Sequence, residues 1–264
     1  MDEQPVRIAG EEPTSDVADA VVKEIADAGG TGVAVADTVT TMAGGERIVQ
    51  TALDRWGSID GVVCVAGILR ERMLFNMSEE EFDPVVETHL KGTFTVFRAA
   101  APIFREQQSG AYVAFTSGAY AGSVAQANYS AAKGGIVSLV RSAAAGMSKY
   151  GVTANCIAPV ARSRMSGQVP FGIEMGEPED VAPMVCFLLS DLAREVTGQI
   201  YTVNAGRIAV WNQPIEVREM RKDGRWSVAE IASRFSEVGQ EPMPILERLK
   251  TMEAAAKSKD KPNS

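Results

Sequence analysis

Tyr129 and Lys133 lie four residues apart in the run Asn128-Tyr129-Ser130-Ala131-Ala132-Lys133-Gly134-Gly135. On a helix that spacing puts both side chains on one face, within reach of a common ligand. A phenol titrates near about 10 and is a poor base at neutral pH. A neighbouring ammonium favours the phenolate, so Lys133 can make Tyr129 a usable acid or base. Such a pair suits proton transfer at an alcohol or carbonyl oxygen. A tyrosine and a lysine so spaced are more often a surface pair, so the surrounding elements decide.

Those elements alternate between strand-like and helix-like segments, which predicts an α/β fold with a parallel sheet covered by helices. A helix follows the N-cap cluster Pro13-Thr14-Ser15-Asp16, carries Ala20, Val21, Ile25 and Ala28 on one face, and stops at Gly29-Gly30. Gly32–Ala36 reads as a short strand ending at Asp37. Ile48, Val49, Ala52, Leu53 and Trp56 mark a second helix that ends at Gly57. Val62–Ala66 is apolar on both faces, the pattern of a central parallel strand. Ser78-Glu79-Glu80-Glu81 is a capping box that opens a long helix through about Gln107.

The strand Ala111–Phe115 delivers Thr116 and Ser117 at its C-terminal end. The Tyr129 helix then shows Ile136, Val137, Val140, Ala143, Ala144 and Met147 as a core stripe. Strands near Thr153–Ile157 and Gln199–Val203 bracket a helix over Val181–Leu189. From about Trp211 the alternation stops. Ser227–Val238 predicts one amphipathic helix, broken by Glu241-Pro242-Met243-Pro244, and the polar end from Lys257 is expected to be disordered. The expected domains are therefore residues 1–210 and a C-terminal extension, 211–264.

Composition narrows the function classes. The 264 residues are 45% hydrophobic and 23% charged, with a net charge of -8 and scattered basic residues. That balance offers no nucleic-acid surface and no anionic-membrane surface. No apolar run approaches the roughly 20 residues of a membrane span, and Met1-Asp2-Glu3-Gln4-Pro5 is not laid out as a secretory signal. A cytoplasmic location is expected. Cys64, Cys156 and Cys186 read as buried, reduced thiols, and with His89 the only histidine no histidine-rich metal site exists. Any Ser-His-Asp triad would have to use His89.

Taken in order, these segments resemble the short-chain dehydrogenase/reductase family over roughly Val6 to Ile208. The residues that carry the resemblance are Tyr129-x-x-x-Lys133, Ser117 at a strand end, Ala66-Gly67 after an apolar strand, and Ile157-Ala158-Pro159 after another. Within the family the likeness is strongest to the (3R)-hydroxyacyl-CoA dehydrogenase type. It rests on Ala66-Gly67-Ile68-Leu69-Arg70, His89-Leu90-Lys91-Gly92-Thr93-Phe94, Asn155-Cys156-Ile157-Ala158-Pro159 with Ser163-Arg164-Met165, and Trp211-Asn212-Gln213-Pro214. The resemblance implies a Rossmann-like three-layer fold and hydride transfer between NAD or NADP and a secondary alcohol or ketone, such as a 3-hydroxyacyl-CoA. Tyr129 would exchange the hydroxyl proton, Lys133 would lower its pKa and hold the nicotinamide ribose, and Ser117 would hydrogen-bond the substrate oxygen. His89 stands where other members carry the asparagine of a proton relay. Ala66, Gly67, Pro159 and Ser163 would border the nicotinamide side, and Asp37 with Val39 would lie near the adenine. A homodimer or homotetramer is implied as well.

The sequence also departs from the family. The first strand, glycine-rich turn and helix that receive the cofactor pyrophosphate do not precede Val6-Arg7-Ile8-Ala9-Gly10, which reads as the stump of the second strand. The domain is thus expected to be N-terminally truncated, with an unpaired edge on the Val62–Ala66 strand. Gly29-Gly30-Thr31-Gly32 precedes a strand and reads as a helix stop, not a phosphate cradle. Ser117 and Tyr129 are one residue closer than usual, which leaves Thr116 as an alternative hydroxyl donor. Two readings follow: an oxidoreductase, or a catalytically silent relative serving as a subunit or scaffold. Cofactor-free acid–base chemistry by Tyr129 is a third.

Overall fold

The structure, a computed structural model, describes residues 16–163 and 175–259. Val6–Gly10, Arg164 and Met165 lie outside that range. Between Trp211 and Asn212 the chain divides into two units.

In the first unit, α1 (Asp16–Asp27) ends in a Schellman turn: the Gly30 N–H reaches the Ile25 carbonyl at 2.8 Å and the Gly29 N–H reaches Ala26 at 2.9 Å, with Gly29 at φ 85°. The glycine cluster is a helix stop, as its place ahead of an apolar run predicts. No residue of α1 is buried, however, and Val17, Val21 and Ile25 are exposed. Gly32–Ala36, expected as a strand, is irregular chain. The reason is pairing: a strand exists only through a neighbour's ladder, and no described strand lies beside this one. Helix α2 (Met42–Trp56) is capped by the Thr41 hydroxyl and closed by left-handed Gly57, although Trp56 sits half out of the core.

Five strands follow: β1 (Gly61–Cys64), β2 (Gly110–Phe115), β3 (Val152–Pro159), β4 (Ile200–Asn204) and β5 (Arg207–Val210), ordered β1-β2-β3-β4-β5. The first four are parallel. The fifth, which periodicity missed, returns antiparallel after Ala205 at φ 47°. Among the described residues β1 pairs only with β2, so it is an edge strand and not a central one. Val63 and Val65 are exposed, the core around Val113 on the same face not extending to β1.

Side-chain alternation sends β2 into two cores. Tyr112 and Ala114 face α2, α4 (Gly92–Gln107) and α5 (Ala127–Met147), while Val113 faces α6 (Ala182–Leu189). Helices therefore cover both faces, giving the three layers of a Rossmann-like fold. Ile136, Val137, Val140 and Ala144 of α5 are buried, with Ala143 and Met147 packed against them. Each fully buried aliphatic side chain contributes about 1.5–3 kcal/mol.

The long helix is not one α-helix. The Ser78–Glu81 capping box opens α3 (Glu79–Val86), but Glu87–Lys91 forms a π-turn before α4. The Gly92 N–H reaches back to Glu87, and the Thr93 hydroxyl donates to the His89 carbonyl at 2.7 Å. Such turns concentrate at functional sites. Among the cysteines, Cys156 is buried and Cys64 half-buried, with burial pushing both thiols up to about 12, whereas Cys186 is exposed, contrary to expectation. All three are free thiols.

The second unit carries α7 (Val228–Arg234), opened by a Ser227–Glu230 capping box and continued by a 3₁₀ turn to Glu237, then α8 (Pro244–Lys259). Pro244 starts a helix after ending the preceding run, and α8 takes in Lys257–Lys259, which were expected to be disordered. Trp226 lies between two cations, Lys222 at 5.4 Å and Arg234 at 5.0 Å. Among the described residues no helix is long and apolar enough to cross a membrane.

Candidate active site

Parallel strands deliver the site residues at their carboxyl ends, where open α/β sheets bind ligands. Ser117 follows β2, Ala66 and Gly67 follow β1, Pro159 ends β3 and Ser163 lies four residues on. The first turns of α5 then bring Tyr129 and Lys133 to the end of β2.

The Ser117 side chain interacts with the Tyr129 phenol and favours its ionised form, against the effect of burial. Ser117 also accepts from the Ala119 N–H at 3.2 Å, which fixes its rotamer. Thr116, the alternative hydroxyl, is buried and donates to the Lys133 carbonyl at 2.9 Å. It points into the α5 backbone and away from Tyr129, and the geometry favours Ser117. Lys133 is buried, its Nζ donating to the Phe115 carbonyl at 2.6 Å and lying 5.5 Å from the Tyr129 ring centre. Burial pushes its pKa down to about 8, so the ammonium persists at neutral pH. The expected lowering of the Tyr129 pKa does not hold here: burial raises it, and the Ser117 side chain offsets only part of that rise. Burial thus keeps Tyr129 protonated at neutral pH, and the Lys133 Nζ is turned to Phe115.

His89 is 1% exposed and stands edge-on to Tyr129, ring centres 5.2 Å apart at 83°. Its Nε2 sits 2.7 Å from the Ile68 carbonyl and 3.1 Å from the Ile68 N–H, contacts that call for opposite tautomers of the ring, and its buried Nδ1 has no hydrogen-bond partner among the described residues. Burial, aided by the Lys133 charge, pushes its pKa down to about 4. Between the ordinary 6.5 and about 4, only the unfolded chain takes up this proton. Stability should therefore fall as pH drops from about 6.5 to about 4 and level off below, a loss of roughly 3 kcal/mol. Because His89 is the only histidine, its imidazole NMR signals report this directly. Titration at the ordinary value would contradict the burial argument.

Gly67 lies against the same ring. A Cβ there would come 2.8 Å from Nδ1 and 2.9 Å from Nε2, and closer still to Cε1. The glycine after β1 is thus required by His89, a coupling between distant positions that spacing alone does not reveal.

Asp37 and Val39, which the resemblance placed near an adenine, are engaged within the protein. Asp37 takes a two-pronged ion pair from Arg47, Nε to Oδ2 at 2.6 Å and Nη2 to Oδ1 at 2.8 Å, which holds its carboxyl below the usual range. The Val39 carbonyl accepts from the Thr95 hydroxyl at 2.6 Å, and its side chain packs where Gly92 leaves room. Among the described residues no group of three or more His, Cys, Asp and Glu side chains could hold a metal.

A Rossmann-like sheet presenting serine, tyrosine and lysine at its carboxyl ends defines the architecture of a nicotinamide-dependent oxidoreductase. The chain belongs to the short-chain dehydrogenase/reductase family: residues 6–207 match the family described as enoyl-(acyl carrier protein) reductase. It is 38% identical over 249 residues to the hydroxyacyl-CoA dehydrogenase ChsB1 of Mycobacterium tuberculosis, covering 86% of this chain and 78% of that one. It is 35% identical over 203 residues to the 3-oxoacyl-[acyl-carrier-protein] reductase of Staphylococcus aureus, covering 72% and 82% respectively. A short chain dehydrogenase from Mycobacterium avium superposes with a TM-score of 0.78 at 40% identity, covering 85% of this chain and 80% of the other.

Members of this family use NAD(P). Ser117, Tyr129 and Lys133 bring a hydroxyl, a phenol and an ammonium to the strand ends, donor types that a ribose–nicotinamide half would require. The pyrophosphate half finds no glycine-rich turn between a strand and a helix among the described residues.

Proposed function

We propose that the protein interconverts a secondary alcohol and a ketone with NAD or NADP, acting on a 3-hydroxyacyl thioester of coenzyme A as a cytoplasmic homodimer or homotetramer. The observation that carries this reading is the buried Lys133 ammonium 5.5 Å from the Tyr129 ring centre, with Ser117 at the end of the adjoining strand. The names of the relatives, a hydroxyacyl-CoA dehydrogenase and a 3-oxoacyl reductase, support the substrate class.

The nicotinamide supplies or accepts the hydride when bound. The chain's own residues manage the proton. Tyr129, protonated at neutral pH, donates to the carbonyl oxygen as negative charge develops there, and takes the proton back in the alcohol direction. Ser117 is placed to hydrogen-bond the same oxygen, a preorganised dipole at the site of developing charge. Lys133 would hold the ribose of a bound cofactor, and its ammonium would stabilise the phenolate left behind. His89, neutral, braces the ring.

The exposed edge of β1 favours a second reading, a silent relative that serves as a subunit. Calorimetric titration with NADH and NADPH separates the two. Saturable binding below about 1 mM, roughly −4 kcal/mol, is expected for the enzyme. No saturation at that concentration would remove the dehydrogenase reading for this chain.

A further inference from the structure

We propose that Asn128 is a positioning residue that locks Tyr129 to the loop after β1 and so sets the proton donor's place in the site. Its side chain is fully buried in the first turn of α5. Both amide hydrogens are committed, Nδ2 donating to the Arg70 carbonyl at 2.9 Å and to the Glu81 carbonyl at 2.7 Å. Its Oδ1 accepts the Tyr129 N–H at 2.8 Å. Three stretches therefore meet on one amide: the loop after β1, helix α3 and the backbone of Tyr129 itself.

The chemistry asks for asparagine in particular. The Tyr129 N–H is a first-turn donor with no intrahelical acceptor, and Gln126 provides no side-chain cap. Capping alone would be met by serine, threonine or aspartate. Two donors and one acceptor on one short side chain are met only by an amide. A carboxylate here would face two carbonyl oxygens in a buried space.

Neighbouring contacts fasten the same seam. The Arg72 N–H donates to the Ala125 carbonyl at 2.8 Å, Arg72 pairs with Glu81 at 2.8 Å, and Gln126 Nε2 reaches Glu71 at 2.5 Å. Ala125 turns at φ 60° to bring the chain into α5. The loop held by Asn128 at Arg70 is the one held by His89 at Ile68. Tyr129 is thus anchored twice to one loop, through its backbone by Asn128 and through its ring by His89.

This inference rests on Tyr129 being the proton donor, and the test includes a readout that does not need turnover. Asn128→Asp keeps an oxygen for the Tyr129 N–H but loses the two donors, while Asn128→Ala loses all three bonds and serves if the first variant does not fold. Expected are a fall in kcat of about tenfold or more and a coenzyme KM within about twofold of wild type. The Tyr129 phenol titration, read by ultraviolet difference absorbance against the same protein carrying Tyr129→Phe, should shift by about one pH unit. A variant with lowered Tm but unchanged kcat and phenol titration would reduce Asn128 to a structural cap and overturn the proposal. If Tyr129→Phe alone leaves activity intact, the proton-donor reading fails instead, and the phenol titration still decides whether Asn128 positions the ring.

Discussion

Replacing Tyr129 with phenylalanine should lower kcat/KM for reduction of a 3-ketoacyl thioester by about a hundredfold to ten-thousandfold, with nicotinamide affinity little changed. The substitution removes one oxygen and leaves the ring, so the edge-on contact with His89 persists. The lost interaction with Ser117 costs about 0.5–1.5 kcal/mol of stability at most. The effect on rate and the effect on fold are therefore separable. Steady-state assays with NADH and NADPH beside thermal melts measure both. Wild-type turnover in this variant would move proton transfer to another group, and the buried His89 held near about 4 is poorly suited to it.

Gly67→Ala should do the opposite, damaging the fold first and activity through it. The new Cβ collides with the His89 ring, which is 1% exposed and tied to Ile68, so it has nowhere to retreat. Overpacking of this kind costs about 1–3 kcal/mol, or several degrees of Tm in a chain this long. Any rotation of the ring that relieves the clash breaks the Nε2 contact with Ile68 and loosens Tyr129. The pairing can be checked by a second-site change: Gly67→Ala with His89→Asn, whose smaller side chain makes room, should recover most of the lost Tm. Equal losses in the single and double variants would show that the glycine answers to something other than the imidazole.

Much of this was legible in the sequence because its signals are local. The Ser78–Glu81 capping box, the glycine stop after α1 and the α5 stripe from Ile136 to Met147 each depend on residues within a turn or two, and each stands where spacing placed it. Tyr129, Lys133 and Ser117 were found the same way, by offset along a helix and position at a strand end. What spacing could not supply was partnership. Gly32–Ala36 has strand residues but no described strand beside it, whereas the open edge of the Val62–Ala66 run is the one the sequence predicts. The rise in the Tyr129 pKa, the turn of the Thr116 hydroxyl toward Lys133 and the fit of Gly67 to His89 are all non-local. Each depends on which way one side chain turns once the sheet has closed. The Nζ of Lys133 bonding Phe115 is the sharpest instance, because four-residue spacing allows the contact with Tyr129 without requiring it.

The π-turn at Glu87–Lys91 carries a consequence for the phase of the helix that follows. A π-turn holds one residue more than an α-turn, and in a regular helix that residue would advance everything after it by about 100° around the axis. The wide turn takes up the extra residue where it sits, so α3 and α4 present their faces in line. Forcing all five residues into regular α geometry would swing Thr95, Val96 and Ala100 off their present neighbours. The wide turn and the packing of the whole downstream helix therefore stand or fall together.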